Sequence, residues 1–154
     1  MVMAKVKKVA TPKKKSDLKK AKAKAWAVFS QYIRRKYADE DGNCRCVTCG
    51  TVKHWKELHA GHYIDGRNNS VLYNEQLVHP QCFHCNSKML GCLGGNKVAY
   101  TIFMATKYCL TMEEIGKLQN LYFTAKPMKA FEHSLVEEKY RDALVGLDIR
   151  DNRS

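Results

Sequence analysis

The most informative part of the sequence is "CVTCGTVKHWKELHAGHY" (residues 46–63), which is followed by "HPQCFHCNSK" (residues 79–88). Each stretch contains a Cys-x-x-Cys turn, a spacing that lets two thiolates meet one tetrahedral zinc ion at about 2.3 Å. Two such pairs, in a chain without a secretory signal, indicate a metal site in preference to disulfides. We predict one structural zinc site, with ligands Cys46, Cys49, Cys82 and Cys85. Since all four ligands come from the protein, this zinc would stabilise the fold and take no part in catalysis.

Three further cysteines lie outside the two pairs. Cys44 could replace Cys46 as a ligand, because "CRCVTC" offers both, but the two-residue gap to Cys49 favours Cys46. Cys44, Cys92 and Cys109 are therefore predicted to be free thiols. The alternative to a metal site is a group of four buried thiols.

Several polar side chains lie between the two cysteine pairs or directly after the second: His54, His59, His62, His79 and Asn86. A neutral imidazole can act as general base on a water that attacks a phosphodiester, provided that a divalent cation stabilises the developing charge. We interpret His62 as this base, with Asn74 or His79 orienting its ring, and Asn86 as a ligand of the cation. The alternative is that these residues satisfy one another's hydrogen bonds around a small zinc core.

Positive charge is concentrated at the N-terminus. Residues 1–36 contain 13 Lys and Arg and one acid, which gives +12, the formal net charge of the whole chain. Such a segment attracts a polyanion by releasing counterions from phosphates, so we predict DNA as the partner. The residues predicted to bind DNA are Lys13, Lys14, Lys15, Lys19, Lys20, Arg34 and Arg35. A tail that only aids solubility, or a nuclear-localisation run in "KKVATPKKK", is the alternative.

Composition and patterning divide the chain into four segments. Residues 1–15 are predicted to be a disordered basic tail, and residues 16–40 a basic helix whose aromatic stripe indicates a core face. Residues 41–97 would form the zinc-stapled core, with strands that include "VLYNEQLV" and a helix at "FHCNSKML". Residues 98–150 would form a C-terminal helical region, with a capping box at Thr111 and Glu114 and a last helix from Pro127. No stretch is apolar enough for a membrane span and no signal peptide is visible, so we expect no membrane association and a cytoplasmic location.

Together these motifs carry a family resemblance. A Cys-x-x-Cys before a Gly-His-Tyr strand end, with a second Cys-x-x-Cys-Asn on a helix, resembles the zinc-stapled branch of the HNH endonucleases. More narrowly, the chain resembles the NinG, or Rap, recombination nucleases of lambdoid phages over about residues 25–105. The stretches that carry this resemblance are "AWAVFSQYIR", "CVTCGT", "HAGHY", "NEQLVHPQCFHCN" and "GNKVAY".

The resemblance implies both a fold and an activity. The fold is α+β: a small zinc-stapled ββα-metal (HNH-like) core, flanked by an N-terminal helix and a C-terminal helical region that packs on it. The activity is that of a structure-specific DNA endonuclease, which cleaves branched recombination intermediates such as Holliday junctions and D-loops with Mg²⁺ or Mn²⁺. The protein would then be a phage protein that acts in the cytoplasm of a bacterial host.

Carried over position by position, the resemblance makes His62 the general base and Asn86 the metal-binding residue after the last cysteine. Two positions depart from the family pattern. His59 stands where an acid is usual; it can still ligate the catalytic cation, although imidazole suits Mg²⁺ less well. Leu77 stands where an Asn is usual, five residues before Cys82, so Asn74 is the substitute for the orienting residue.

Two other functions stay open at this point. One is a phage HNH nicking or homing endonuclease that acts on ordinary duplex DNA, and the other is a zinc-stapled DNA-binding protein without catalysis. Oligomeric state is open as well, because the apolar face of the last helix can pack on the preceding helices or form the seam of a homodimer. Paired incisions in a two-fold junction favour the dimer. That face consists of Val136, Tyr140, Ala143, Leu144 and Leu147.

Overall fold

The computed structural model describes residues 12–66, 68–87 and 96–151. The helices are α1 (Pro12–Lys36), α2 (Asn69–Leu72), α3 (Phe83–Asn86), α4 (Lys97–Tyr108), α5 (Met112–Asn120) and α6 (Ala130–Asp151). The strands are β1 (Asn43–Arg45), β2 (Val52–His54), β3 (His59–His62) and β4 (Val78–Gln81), and 3₁₀ helices cover Trp55–Glu57 and Leu121–Thr124. The molecule thus combines helices with small sheets.

Helix α1 begins at Pro12, four residues before the predicted start at Ser16. Proline suits the first turn of a helix, where its fixed φ is already helical and its missing N–H would have no intrahelical partner. The prediction of disorder is therefore wrong for residues 12–15, and residues 1–11 lie outside the described part of the chain. The helix ends at Lys36, and its last turn is basic, as suits the negative end of the helix dipole.

The strands form antiparallel pairs. Strand β1 pairs with β2, and β3 pairs with β4 so that His59 lies opposite Gln81 and His62 opposite Val78. Helix α3 follows β4 after a single residue, Cys82. The strand predicted at "VLYNEQLV" is only partly correct, because α2 extends to Leu72 and β4 begins at the last residue of that stretch. β-Branched and aromatic residues favour strands in general, but here tertiary context decides in favour of a short helix and a turn.

Helices α1 and α6 pack along each other and form the largest helix–helix contact in the described part of the chain. Phe29 and Ile33 of α1 are fully buried against Tyr140 and Leu144 of α6, and β3 and β4 contribute to the same cluster. The apolar face predicted on the last helix therefore packs within the chain, although the helix begins at Ala130 and not at Pro127. A homodimer would need a different surface.

A second cluster forms under α4 and α5, where the buried residues include Tyr100, Met104 and Ile115. The predicted capping box is confirmed, because the Thr111 hydroxyl accepts from the amide of Glu114, whose carboxylate accepts from the amide of Thr111. The turn predicted at "GCLGGN" lies almost entirely outside the described residues. Within those residues, no helix combines the length and the apolar character that crossing a bilayer requires.

Candidate metal centre and histidine site

Four thiol groups meet at one point of the core. The Sγ atoms of Cys46, Cys49, Cys82 and Cys85 all lie within 4.8 Å of one another. Those of Cys49 and Cys82 are 3.7 Å apart. A tetrahedron with zinc–sulfur bonds of about 2.3 Å has sulfur–sulfur edges of about 3.8 Å. The predicted ligand set can therefore hold a structural metal such as zinc.

Local backbone geometry positions the first cysteine pair. The amide of Gly50 donates to the carbonyl of Cys46 at 2.9 Å, which closes the turn. Gly50 has a φ of +78°, a conformation that glycine adopts without strain. The amide of Val47 donates to the carbonyl of Pro80 at 3.0 Å, so the turn is fastened to β4. This hydrogen bond holds the first cysteine pair next to β4, the strand that leads into the second cysteine pair.

The four thiols differ in their tendency to ionise. Burial opposes ionisation of Cys46, but hydrogen bonds from the Thr48 hydroxyl and from backbone amides lower its pKa to about 6. Burial raises the pKa of Cys85 to about 12, raises that of Cys82 as well, and the nearby Cys46 thiolate opposes ionisation of both. A full set of thiolates therefore needs a compensating cation, which a bound metal ion would supply.

Two of the other cysteines agree with their prediction as free thiols. Cys44 is buried beside the group, and burial raises its pKa to about 11, so it behaves as a small apolar residue. Cys109 is free and exposed at the end of α4. Cys92 lies outside the described residues.

His62 is the last residue of β3, and contacts from three helices surround it. Its ring stacks on that of Trp26 in α1, with centroids 4.8 Å apart and planes 19° apart. Its Nε2 lies 3.3 Å from the carbonyl oxygen of Leu72 in α2. Its own carbonyl accepts a hydrogen bond from Nζ of Lys97 in α4 at 3.2 Å. The sequence indicates Trp26 only as a core residue and gives no sign of the other two, because one acts through its backbone and the other is distant in the chain.

His59 and Asn86 lie on the other face of β3. Side chains alternate along a strand, so His59 and His62, three residues apart, point to opposite faces. The side-chain amide of Asn86 donates to Nδ1 of His59 at 3.2 Å. A Cβ at Gly61 would lie 2.8 Å from Oδ1 of Asn86 and would also clash with Gln81. The absence of a side chain at position 61 is what lets Asn86 lie against the residue next to His62.

His79 is fully buried. It pairs with Gly61 in the sheet, so its side chain lies on the face opposite His62. Its Nδ1 and Nε2 bond the hydroxyls of Tyr100 and Tyr108, each at 2.9 Å. The Tyr100 hydroxyl donates to the Gly61 carbonyl at 2.9 Å, so it accepts from Nδ1 of His79, and Nε2 accepts from Tyr108. His79 thus supports the backbone of β3 next to His62, and its role in orienting the His62 ring stays a prediction.

Asn74 and Leu77 both act in the turn before β4. The side-chain oxygen of Asn74 accepts from the amide of Gln76 at 2.9 Å, which is a turn-stabilising bond. Leu77 is fully buried in the cluster under α4 and α5. The leucine that replaces the expected asparagine is therefore a core residue. The orienting role of Asn74 stays a prediction, and one contact to a ring nitrogen of His62 comes from the carbonyl of Leu72.

Two of the predicted DNA-binding residues are committed to partners within the fold. Arg34 is half-buried and donates to the carbonyls of Leu58 and Trp55 at 3.2 and 3.4 Å, and burial lowers its pKa. Arg35 forms ion pairs with Asp148 and with Asp151 of α6, the latter at 2.8 Å. These arginines therefore stabilise the fold, and their role in DNA binding stays a prediction. Sequence reasoning missed this because the partners lie 21 to 116 residues away.

The predicted lysines behave differently. Lys15, Lys19 and Lys20 are exposed on the first turns of α1. The side chains of Lys13 and Lys14 lie outside the described part of the structure. Apart from Lys36, which is exposed at the end of the helix and pairs with Glu75, the exposed positive charge of α1 lies in its N-terminal half, away from the arginines.

The fold and the site define a protein with mixed helices and small sheets, built around a cluster of four cysteines that can hold a metal. The chain belongs to the family described as Bacteriophage Lambda NinG protein, whose family profile matches residues 2–143. This confirms the resemblance at the level of the family. No curated protein and no solved structure matches the chain significantly.

Proposed function

We propose that this protein is a metal-dependent DNA endonuclease that cleaves branched recombination intermediates, Holliday junctions and D-loops among them. Membership of the NinG family supports a role in phage recombination. The observation that carries the catalytic part is the contact between Nε2 of His62 and the Leu72 carbonyl. In this proposal the ββα-metal centre of an HNH nuclease corresponds to β3, β4 and α3.

The Leu72 contact fixes the tautomer of His62. A carbonyl oxygen can only accept, so Nε2 must carry the proton that it donates at 3.3 Å. In the neutral ring Nδ1 then carries the lone pair, which is the state that a general base requires. Stacking on Trp26 restricts rotation of the ring and so favours a fixed direction for that lone pair. Leu72 thereby takes the orienting role that the sequence suggests for Asn74 or His79.

The residues on the opposite face of β3 suit a divalent cation. An amide oxygen such as that of Asn86 is a ligand of hard cations, and the imidazole of His59 suits Mn²⁺ better than Mg²⁺. The two side chains are in contact, and the assignment of the amide oxygen and nitrogen can be exchanged by a rotation of Asn86. His59 lies about 10 Å along the strand from His62. Asn86, which lies against Gly61, is therefore the ligand closer to the base.

The chemistry assigned to the chain's own residues is a hydrolysis. Nδ1 of His62 accepts a proton from a water, whose oxygen attacks the phosphorus as the bond to the leaving oxygen breaks. A divalent cation would stabilise the charge on the phosphate and on that leaving oxygen. Asn86 and His59 are the residues predicted to hold it, and their side chains lie on the face of β3 opposite the His62 ring. The exposed lysines of α1 would bind the DNA backbone, and the four-cysteine zinc would keep β4 and α3 in place.

Replacement of His62 tests this proposal. We expect His62→Ala to lower the rate of junction cleavage by about 10²–10⁴-fold, since this is the usual contribution of a general base. Zinc content, measured by mass spectrometry, and junction affinity, measured without added divalent cation, should be unchanged. The matched control is His84→Ala, because His84 is exposed on α3 and has no part in the proposed mechanism. A His62→Ala protein that cuts at the wild-type rate would contradict the mechanism.

The same assay separates the remaining alternatives. Equal cleavage of a four-way junction and of a linear duplex of the same sequence would favour a nicking or homing nuclease. Binding without any metal-dependent cleavage would favour a DNA-binding protein. Asn86→Ala should also reduce the rate and be partly rescued by more divalent cation, because a lost ligand lowers metal affinity without removing the base.

A further inference from the structure

A cavity of about 550 Å³ opens beside the carboxyl end of β3, and most of its walls take no part in the site described above. The loop that follows His62 forms one wall, α4 forms the second, and the 3₁₀ helix Leu121–Thr124 forms the third. Cavities of this volume are typical of sites for small molecules or for parts of larger ligands. Its position next to the proposed catalytic histidine raises the question of what it binds.

Two aromatic side chains stand at this cavity. Phe123 is 83% exposed, the most exposed large apolar side chain in the described part of the protein, and Tyr122 is 38% exposed. Their rings are 5.4 Å apart at 86°, so they form two perpendicular flat surfaces. A single exposed apolar residue needs no explanation, but a pair at the wall of a cavity offers a binding surface. Folding gains little from leaving the Phe123 ring in water.

The aromatic wall is held in place before any ligand arrives. The side-chain amide of Asn68 donates to the carbonyl of Tyr122 at 2.6 Å, and the hydroxyl of Ser70 donates to the carbonyl of Leu121 at 2.6 Å. Gly66 lies so close that a Cβ there would be 2.8 Å from the Tyr122 ring. A wall that is already fixed loses little conformational entropy on binding.

Polar groups complete the cavity. Thr101 and Gln119 line it with a hydroxyl and an amide. The Thr101 hydroxyl already shares a hydrogen bond of 3.1 Å with that of Tyr63 and can form one more, while the Gln119 amide can both donate and accept. Lys97 donates to the carbonyls of His62 and Tyr63 at 3.2 and 2.7 Å and forms an ion pair with Asp65 at 2.8 Å. The Lys97 side chain therefore lines the cavity and also donates a hydrogen bond to the backbone of the proposed base, His62. A ligand in the cavity would therefore lie beside Lys97, which bonds the backbone of the proposed base.

We propose that this cavity receives an unstacked nucleobase of branched DNA, and that Phe123 is the surface on which the base stacks. The inference rests on the proposed function and adds its means of recognising a branch. Bases at a branch point are easier to unstack than those inside a continuous duplex, and a flat aromatic ring binds any base by its π-face. Gln119 and Thr101 can pair with the polar edge of such a base. Selection for branched DNA then comes from the base, while the lysines of α1 bind any phosphate backbone.

The test compares two phenylalanine variants in binding assays without added divalent cation, so that no cleavage takes place. We expect Phe123→Ala to weaken binding to a four-way junction about 5- to 150-fold, the usual loss when one base–aromatic contact is removed. Its affinity for a linear duplex should be unchanged, and Phe123→Trp should bind the junction as tightly as the wild type. The matched control is Phe131→Ala, since Phe131 is 60% exposed on α6 and does not line the cavity.

A change in the DNA completes the test. Removing the bases at the branch point, by abasic nucleotides, should weaken binding of the wild type but leave that of Phe123→Ala almost unchanged. Equal losses in both proteins, or an equal effect of Phe123→Ala on junction and duplex, would overturn the inference. If Phe123→Ala bound and cleaved junctions as well as the wild type, the cavity's role would be refuted and the proposed nuclease would stay intact. A protein that shows the Phe123 effect but never cleaves would refute the nuclease and leave the base-binding cavity intact.

Discussion

His79 shows how a single residue combines burial, hydrogen bonding and pH dependence. It is fully buried, and both ring nitrogens are bonded in the neutral form. Burial, together with two nearby lysines, lowers its pKa to about 3. A protonated ring would lose the bond that Tyr108 donates to Nε2, and the bonds that hold the Gly61 carbonyl would be disturbed with it. The folded protein therefore contains His79 in its neutral form.

This leads to a prediction for stability in acid. The unfolded chain protonates His79 near pH 6.5, whereas the folded chain does so only near pH 3, so stability falls as the pH drops below about 6.5. Between pH 7 and pH 5 this residue should cost about 2 kcal/mol. In His79→Gln, which cannot titrate, the free energy of unfolding should fall less over the same range. Urea unfolding of both proteins at the two pH values measures the difference, and an identical pH dependence would show that His79 is not the titrating group.

For individual residues, the sequence indicates which side chains are reactive, but it does not show which contacts position them. His62 and the four cysteines can be picked out because their chemistry and spacing are visible in the sequence. The Leu72 carbonyl that contacts the His62 ring leaves no such signal, since every residue has a carbonyl. The stacking of Trp26 on His62 joins residues from separate elements, and only the folded chain brings them together.

Elements whose signals are local were predicted well from the sequence. The capping box of Thr111 and Glu114 spans three residues and is present as expected. The strand at "VLYNEQLV" was predicted too early because β-propensity reflects packing on a sheet, and these residues pack instead around α2 and a turn. The contacts of Arg34 and Arg35 are made with distant elements, and charge patterning alone cannot indicate them.

Because the strands are short, we expect their stability to depend on the cysteine cluster. Each strand has three or four residues, and such short pairs are marginal alone. We expect Cys82→Ser to lose the one zinc ion bound per chain and to lose its cooperative thermal transition. Metal binding supplies much of the folding free energy in such sites. Zinc analysis together with circular dichroism during heating measures both properties.

Cys44→Ala is the control for this prediction. Cys44 is buried beside the cluster but does not belong to it, so the variant should keep one zinc even if it loses some stability. Loss of zinc in Cys44→Ala would show that Cys44, and not Cys46, is the zinc ligand in "CRCVTC". Full zinc content and a cooperative transition in Cys82→Ser would refute the metal site.

Over the whole molecule, charge is divided between structure and surface. Arg35 and Lys36 at the end of α1 pair with acids, and Arg34 is half-buried against carbonyls. The remaining positive charge of the N-terminal 36 residues is carried by lysines alone. Phosphate contacts from such lysines give affinity without sequence information. The base-binding cavity and the lysines would therefore make separate contributions to recognition.

The dependence of DNA binding on salt tests this division. One variant lacks residues 1–11, which removes Lys5, Lys7 and Lys8 and ends just before α1 begins at Pro12. A second replaces three exposed lysines on α1, Lys15, Lys19 and Lys20, by glutamine. Each lost phosphate contact lowers the slope of log affinity against log salt by about 0.9, so either variant can lose at most about 2.7. We expect both slopes to fall for junction and duplex alike.

The control removes the same charge elsewhere, by replacing Lys117, Lys129 and Lys139 with glutamine in the C-terminal region. Its slope should stay close to that of the wild type, because the chain after residue 36 contains equal numbers of basic and acidic residues. A fall in the second variant alone would place the contacts on α1, and a fall in the first alone would place them before it. If the control lost as much slope as the other two, DNA would be attracted by overall charge, and the assignment of the N-terminal lysines as the binding surface would be wrong.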